Sequence, residues 1–409
     1  MTARRPSRPG AKRVLHVLAA YDPKEAQGRC VQTITAAVGV DHYLACARLL
    51  AGGEEFVDVV ETGASLTDFG WRDRERLAAA VRAVRPDVVH FHGGPLGAAT
   101  LATGWTGGVP TVASVYAWTT VGRHSFGHGV SLRHLRTTPV LATRTIGNTI
   151  APRGALGAAL RRAGVRVALT PDPAVREALA HQAIPVGLFE GITPPRRFGP
   201  RTPVPGHFLF AGRAELTRGP DLLADAVQLL RARNVAVSAR FCFLSTPDER
   251  MVATTTEADG CTVTVGGADL DAEMAGATAV VLPFRFDEAT LAPTLVATEA
   301  LALGVPVVGG DVRCLRSAVT DGETGLLVPP GDVGALARAI ERLVDDPAYA
   351  RWLGANGAMD IAARWARANV GDLARWAYRL ATTPEPRLDT RPDARSTEPR
   401  GTPEPQEVA

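Results

Sequence analysis

Short apolar runs rich in β-branched residues alternate along this chain with longer stretches whose apolar positions recur every three or four residues. In the first half the runs are RVLHVLAA, DVVHFH, PTVASVY and RVALT; in the second they are GHFLFAGR, ARFCFL, TVTVGG, AVVLPF, VPVVGG and GLLVPP. Between them lie RERLAAAVRAVRP, PDLLADAVQLLRARN, PTLVATEALALG and DVGALARAIERLVDDP, which have the period of an amphipathic helix. Several runs are apolar at consecutive positions, as strands are when both faces of their sheet are covered. The alternation predicts an α/β protein of doubly wound parallel sheets with helices on both sides.

The pattern stops once and restarts. Residues 189–208, FEGITPPRRFGPRTPVPGHF, are proline-rich and aperiodic. This places a linker at 196–206 between two Rossmann-like domains, 13–195 and 207–355. A last helical pattern, RWARANVGDLARWAYRLA, falls within 356–383 and is expected to pack back on the first domain. Residues 1–12 form a basic leader and 384–409 a Pro- and charge-rich tail, and both are expected to be disordered.

Length and charge narrow the class. The 409 residues are 46 % hydrophobic and carry a formal net charge of +3, which suits two buried cores and excludes a wholesale nucleic-acid coat. Five scattered cysteines form no CxxC pair, so reduced thiols, no metal site and a cytoplasmic location are expected. No apolar run approaches the ~18 residues of a membrane span. From Val88 to Pro171 there is no acid, yet arginines stand at 123, 133, 136, 144, 153, 161, 162 and 166. Two readings stay open, a solvated surface or a face for an anionic acceptor or the inner surface of a membrane.

Candidate chemistry lies where strands end. Gly212 and Arg213 follow the strand run HFLF, and Arg218 precedes Gly219 and a helix opened by Pro220. Ligands of open parallel sheets bind beyond the carboxyl ends of strands, and arginine forks suit phosphate oxygens. From these residues alone the choice is between a phosphate clamp and two solvated arginines. Farther on, Thr294 is the candidate N-cap of a helix whose first N–H groups, from Leu295 onward, suit an anion. Glu299 is the one acid of that apolar helix. It is either a buried acceptor for a hydroxyl pair or part of an exposed face.

Together these segments resemble the retaining family 4 glycosyltransferases of the GT-B fold, two Rossmann-like domains facing across a cleft. GRAELTRGPDLLADAV resembles that family's Gly-Arg…Lys-Gly segment, with Arg218 at the lysine, and residues 293–347 resemble its donor-site helix and the stretch C-terminal to that helix. PDVVHFHGG and VPTVASVYAW are similar to its acceptor-domain strands. The resemblance implies a hexosyltransferase that moves a sugar from a nucleotide-diphosphate sugar to an acceptor of unknown identity. Arg213 and Arg218 would neutralise the diphosphate, Glu299 would hold the ribose, and Thr294 with Leu295 would cradle phosphate or sugar. Gly28 would let the first domain approach the donor, Gly212 would admit the ligand, and Gly267 lies where the base is contacted. No cofactor or metal is required when arginines carry the charge.

Three positions depart from the family pattern. Leu291 stands where a sugar-contacting glutamate is usual, with Glu288 or Asp287 as candidate replacements. Tyr116 replaces a common active-site histidine, which leaves His92 and Tyr116 as the first-domain catalytic candidates. Arg29 follows Gly28 where relatives have paired glycines. Two alternatives remain: a sugar-nucleotide-binding scaffold without catalysis, and an epimerase- or phosphorylase-like enzyme on the same fold. The Asp269-Leu270-Asp271 triplet looks like a metal motif but opens a helix, where capping explains it.

Overall fold

The computed structural model describes residues 6–23, 25–63, 71–94, 100–116, 153–180, 184–195, 201–243, 249–286 and 294–383. The first sheet contains β1 (Arg13–Tyr21), β2 (Asp41–Leu49), β3 (Asp58–Glu61), β4 (Val88–Gly93), β5 (Thr111–Val115), β6 (Val165–Thr170) and β7 (Val186–Leu188). The second contains β8 (His207–Gly212), β9 (Ser238–Phe243), β10 (Cys261–Val265), β11 (Ala279–Leu282), β12 (Val307–Gly310) and β13 (Gly325–Val328). Their orders are β3-β2-β1-β4-β5-β6-β7 and β10-β9-β8-β11-β12-β13, with all neighbours parallel.

Both faces of each sheet are covered, which explains the consecutive apolar positions. Helices α1 (Ala26–Ala37), α2 (Trp71–Val84), α3 (Arg153–Arg162) and α4 (Pro173–Ala180) belong to the first half. In the second half come α5 (Pro220–Arg231), α6 (Glu249–Thr256), α7 (Leu270–Gly276), α8 (Leu295–Ala302), α9 (Arg313–Arg316), α10 (Val333–Asp345), α11 (Pro347–Ala368) and α12 (Val370–Thr382). Leu77 of α2 and Leu160 of α3 meet Leu15, Val89 and Phe91 on one face of the first sheet. Ile34 of α1 and Ala374 of α12 meet Val14, Val88 and Val112 on the other. In the second domain Leu223 and Ile340 cover Phe208 and Phe241, while Ala297 and Leu301 cover Leu209 and Val280.

The ten expected strands are present, and β2, β3 and β7 are additional. β2 escapes a search for apolar runs because it carries Asp41 and His42. Both are buried, and Asp41 is satisfied by the Ser7 hydroxyl at 2.7 Å and the Arg8 N–H at 2.9 Å. The expected domain boundary at residue 355 falls inside α11, which runs through it unbroken. The chain turns instead at Asn369, whose side chain accepts the Asp372 N–H at 2.9 Å and caps α12. α11 therefore stays with the second domain, Gly357 facing Leu301, while α12 lies on the first sheet. All five cysteines are free, and among the described residues no helix is long and apolar enough to cross a membrane.

The placement of α12 generates a test. Ala377 is fully buried in the core that α12 shares with the first sheet. Ala377→Asp should lower stability by about 3 kcal/mol or more, the scale of an unpaired buried charge. The check is urea unfolding followed by circular dichroism; an unmoved midpoint would mean α12 is a detachable appendage.

Candidate functional site

The chain leaves β8 for β9 and later returns to β8's other edge with β11, so strand order reverses between β8 and β11. Such a reversal opens a crevice beyond the carboxyl ends of the two strands. Gly212 ends β8 there, and a short turn, Leu216–Arg218, leads to Gly219. Gly219 has φ 67°, and a Cβ on it would collide with the Pro283 carbonyl oxygen. Only glycine lets this turn close over the end of β11.

Arg285, which the sequence motifs did not single out, fastens the same turn. Its fork takes Asp221 at 2.8 and 2.6 Å and the Leu216 carbonyl at 2.7 Å, and its own N–H donates to the Thr217 carbonyl at 3.0 Å. Arg213 and Arg218 come together around Glu215, at 3.7 and 3.8 Å. The Nε of each is buried without a hydrogen-bond partner. Arg218 lies 5.9 Å over the Phe284 ring, and its Nη1 is 3.5 Å from where a Cβ on Gly212 would stand. Burial pulls the Arg218 guanidinium below its usual pKa, and the Glu215 carboxylate opposes that.

Every residue of α8 is buried, so Glu299 is not part of an exposed face. Its carboxylate meets Arg29 Nη2 at 3.3 Å. Thr294 has the backbone of an N-cap, but its hydroxyl donates to the Cys314 carbonyl at 3.3 Å and makes no cap bond to the helix. Leu295 packs into the first domain's core with Tyr116 and Phe189. Gly267 lies in an exposed turn after β10. Asp269 accepts the Ala272 N–H at 3.2 Å, a cap rather than half of a metal motif. Glu288, Asp287 and Leu291 lie outside the described residues.

The first domain presents α1 to this site. A Cβ on Gly28 would collide with the Asp22 carbonyl oxygen, so this glycine seats α1 on the turn after β1. Glu25, the residue before α1, reaches Arg213 Nη2 at 3.4 Å. Asp172 pairs with Arg313 at 2.9 Å, a third ion pair between the domains. Of the acid-free arginine stretch, Arg161 and Arg162 are exposed at the end of α3. Arg166 donates to the carbonyls of Ala381 and Thr383 at 2.8 and 3.3 Å, which caps α12. Arg123, Arg133, Arg136 and Arg144 lie outside the described residues.

His92 and Tyr116, the first-domain catalytic candidates, sit in the core instead of on the cleft surface, 0 % and 1 % exposed. They belong to a chain of rings on the α1 face of the sheet. His42 Nε2 meets the Val38 carbonyl, His42 Nδ1 meets His16 Nε2, His16 Nδ1 meets His92 Nε2, each at 2.9 Å, and His92 Nδ1 meets the Tyr116 hydroxyl at 2.8 Å. A carbonyl only accepts, so His42 donates from Nε2. With neutral rings this orders the rest: His16 and His92 each donate from Nε2, and Tyr116 donates to His92. His90 is held separately by Tyr378 at 2.7 Å and Ser114 at 2.8 Å. Burial pushes His92 down to about 3 and raises Tyr116 well above its usual value. His92 has no free lone pair, and neither group has the pKa of a general base near neutrality. His16, His90 and His92 also form the one metal-like cluster among the described residues, but each ring nitrogen involved already has a hydrogen-bond partner.

The histidines make stability depend on pH. His16, His90 and His92 all have pKa values lowered by burial. Below the unfolded value of about 6.5 the unfolded chain binds protons that the native rings refuse, so stability falls as pH falls. Each ring contributes a slope of up to ~1.4 kcal/mol per pH unit, and three approach ~4 below about pH 5.5. Urea midpoints measured from pH 7.5 to 5 should decline steeply through that window. A flat profile would contradict the neutral chain.

Comparison with known proteins places this geometry. Residues 205–346 match the family model described as glycosyl transferases group 1, a span that includes Arg213, Arg218, Thr294 and Glu299. A D-inositol 3-phosphate glycosyltransferase of Pseudarthrobacter chlorophenolicus is 37 % identical over 151 residues, 35 % of each chain. The match thus spans about a third of that relative's length. A sucrose-phosphate synthase from Thermosynechococcus elongatus superposes with a TM-score of 0.65 at 20 % identity, over 90 % of this chain and 98 % of that one. HepE of Anabaena, solved with UDP and glucose, does so with a TM-score of 0.60 at 15 % identity, over 90 % and 98 %. The architecture of this chain is therefore GT-B, two Rossmann-like domains whose crevices face each other.

Proposed function

We propose that this protein is a retaining glycosyltransferase. It takes a nucleotide-diphosphate sugar mainly on the second domain and passes the sugar to an acceptor on the first. The observation that carries the reading is the pair Arg213 and Arg218, each with a buried Nε that makes no hydrogen bond, at the strand-order reversal of β8 and β11. Buried guanidinium donors without partners are costly, and a diphosphate supplies the missing acceptors. In this reading Glu299, on α8, accepts the hydrogens of a ribose diol. The family match across 205–346 supports the same assignment.

In the transfer, the bond from the anomeric carbon to the diphosphate oxygen breaks, and its electron pair leaves with the diphosphate. The acceptor oxygen bonds to that carbon from the same face, and its proton goes to the departing phosphate. Arginines fixed around the diphosphate stabilise the charge that develops there, so no metal is required. A proton taken by the leaving group also needs no protein base, which fits the burial of His92 and Tyr116. That burial equally favours a second reading, a sugar-nucleotide binder without transfer. The arginine-rich, acid-free stretch supports an anionic or membrane-surface acceptor.

Calorimetric titration of the full chain with UDP, GDP and ADP tests the donor site. Arg218→Ala should weaken diphosphate binding by about ten- to a hundredfold and the matching nucleoside far less. Equal losses for both would contradict the diphosphate role. Turnover of the matching sugar nucleotides, read by mass spectrometry over an acceptor panel, separates transfer from binding alone.

A further inference from the structure

Two charged residues of the donor site do not stand alone. Arg213 meets Glu25 at 3.4 Å, and Glu299 meets Arg29 at 3.3 Å. Both partners come from one turn of the first domain, since the Arg29 N–H donates to the Glu25 carbonyl at 2.8 Å. Residues four apart on a helix share a face. The beginning of α1 thus presents an acid to the residue assigned to phosphate and a base to the residue assigned to ribose. Arg29 Nε is buried and has no hydrogen-bond partner, so the guanidinium is incompletely satisfied where it lies.

We infer that Arg29 exchanges partners when the donor binds, leaving Glu299 for the diphosphate. This rests on the donor-site reading above. A ribose diol that donates to Glu299 occupies the place of the Arg29 guanidinium. A diphosphate on Arg213 meets the Glu25 carboxylate as a like charge and displaces it. Arg29 is then a cation without its carboxylate, one helical turn from the place Glu25 occupied beside Arg213, and the nearest new anion is the diphosphate. Each half of the exchange favours the other. A nucleoside alone displaces Arg29 without offering it an anion, and pyrophosphate alone displaces Glu25 without releasing Arg29. The cleft thereby selects ligands that carry both parts, and Arg29 is the residue that links them.

The test compares nucleoside with nucleoside diphosphate on the full chain by calorimetry. UDP, GDP and ADP are titrated first, and the tightest is paired with its own nucleoside. In Arg29→Ala the nucleoside should bind about tenfold tighter, because the Arg29 guanidinium no longer competes for Glu299, and the diphosphate about tenfold weaker. Arg29→Lys keeps the charge and should recover most of the diphosphate affinity. Glu25→Gln should tighten inorganic pyrophosphate. Thermal melts of each variant confirm folding. Equal weakening of nucleoside and diphosphate in Arg29→Ala, or no change in either, overturns the exchange while leaving the donor site standing. If wild type binds none of the three diphosphates, the donor-site reading fails, and this inference fails with it.

Discussion

The site depends on the joining of two loops that come after neighbouring strands. Arg285, after β11, forks onto Asp221 at the start of α5 and takes the Leu216 carbonyl, while Gly219 lets the turn press against Pro283. Arg285 is 7 % exposed, so this is a largely desolvated pair. Its attraction is offset by desolvation, but removing one partner strands the other at a cost of about 3–5 kcal/mol. The pair therefore acts as a constraint on shape. It fixes the turn that ends in Arg218. The contrast between the two arginines is chemical: Arg285 has carboxylate and carbonyl acceptors in hand, whereas Arg218 keeps a buried Nε unmatched. One arginine is committed to structure, and the other has only the Glu215 carboxylate at 3.8 Å, beyond hydrogen-bond reach.

The second domain is far more legible in the sequence than the first. Its six strands are short apolar runs, and its site is a local pattern, Gly212-Arg213 and Arg218-Gly219, completed by a helix farther along. Such features survive reading one residue at a time. The role of Arg285 is hidden because its partner Asp221 lies in a different segment, and nothing in PFRFD marks the arginine as paired. In the first domain β2 escapes notice because Asp41 and His42 interrupt it. His92 and Tyr116 look catalytic because a histidine or tyrosine at a strand end suits either a core or a cleft. The clue is parity. Val14 and His16, then Val88, His90 and His92, occupy alternate positions of their strands, the same side as the apolar residues that α1 and α12 cover.

That buried histidine chain bears on how the first domain can work. Because the Val38 carbonyl accepts, Tyr116 must point its hydrogen inward to His92 when the rings are neutral. The network is satisfied only as a whole, and a partly satisfied one would cost more than an apolar core. The first domain thus gains a rigid sheet under α1, the helix that carries Glu25 and Arg29 into the cleft. The buried rings are committed to holding the platform, and what this side offers the cleft is backbone and the charges at the beginning of α1.

The covalent connections between the domains decide how that platform can move. The chain crosses from first to second domain after Gly191 and returns at Asn369, and these crossings are bonded to each other. The N–H groups of Glu190 and Gly191 both donate to the Ala368 carbonyl, at 2.9 and 3.1 Å, and Val370 N–H donates to the Gly191 carbonyl at 3.1 Å. A Cβ on Gly191 would press against the Trp365 backbone at 2.8 Å, so the two strands of the joint lie as close as glycine permits. Hinges are built from a few residues at element ends, and Gly191 and Asn369, on either side of this joint, are such residues. Rotation about it carries α1 away from α8, which requires separating Glu25 from Arg213 and Arg29 from Glu299. Opening the cleft therefore means breaking these two pairs together with Asp172–Arg313, while the bonds at the joint stay made.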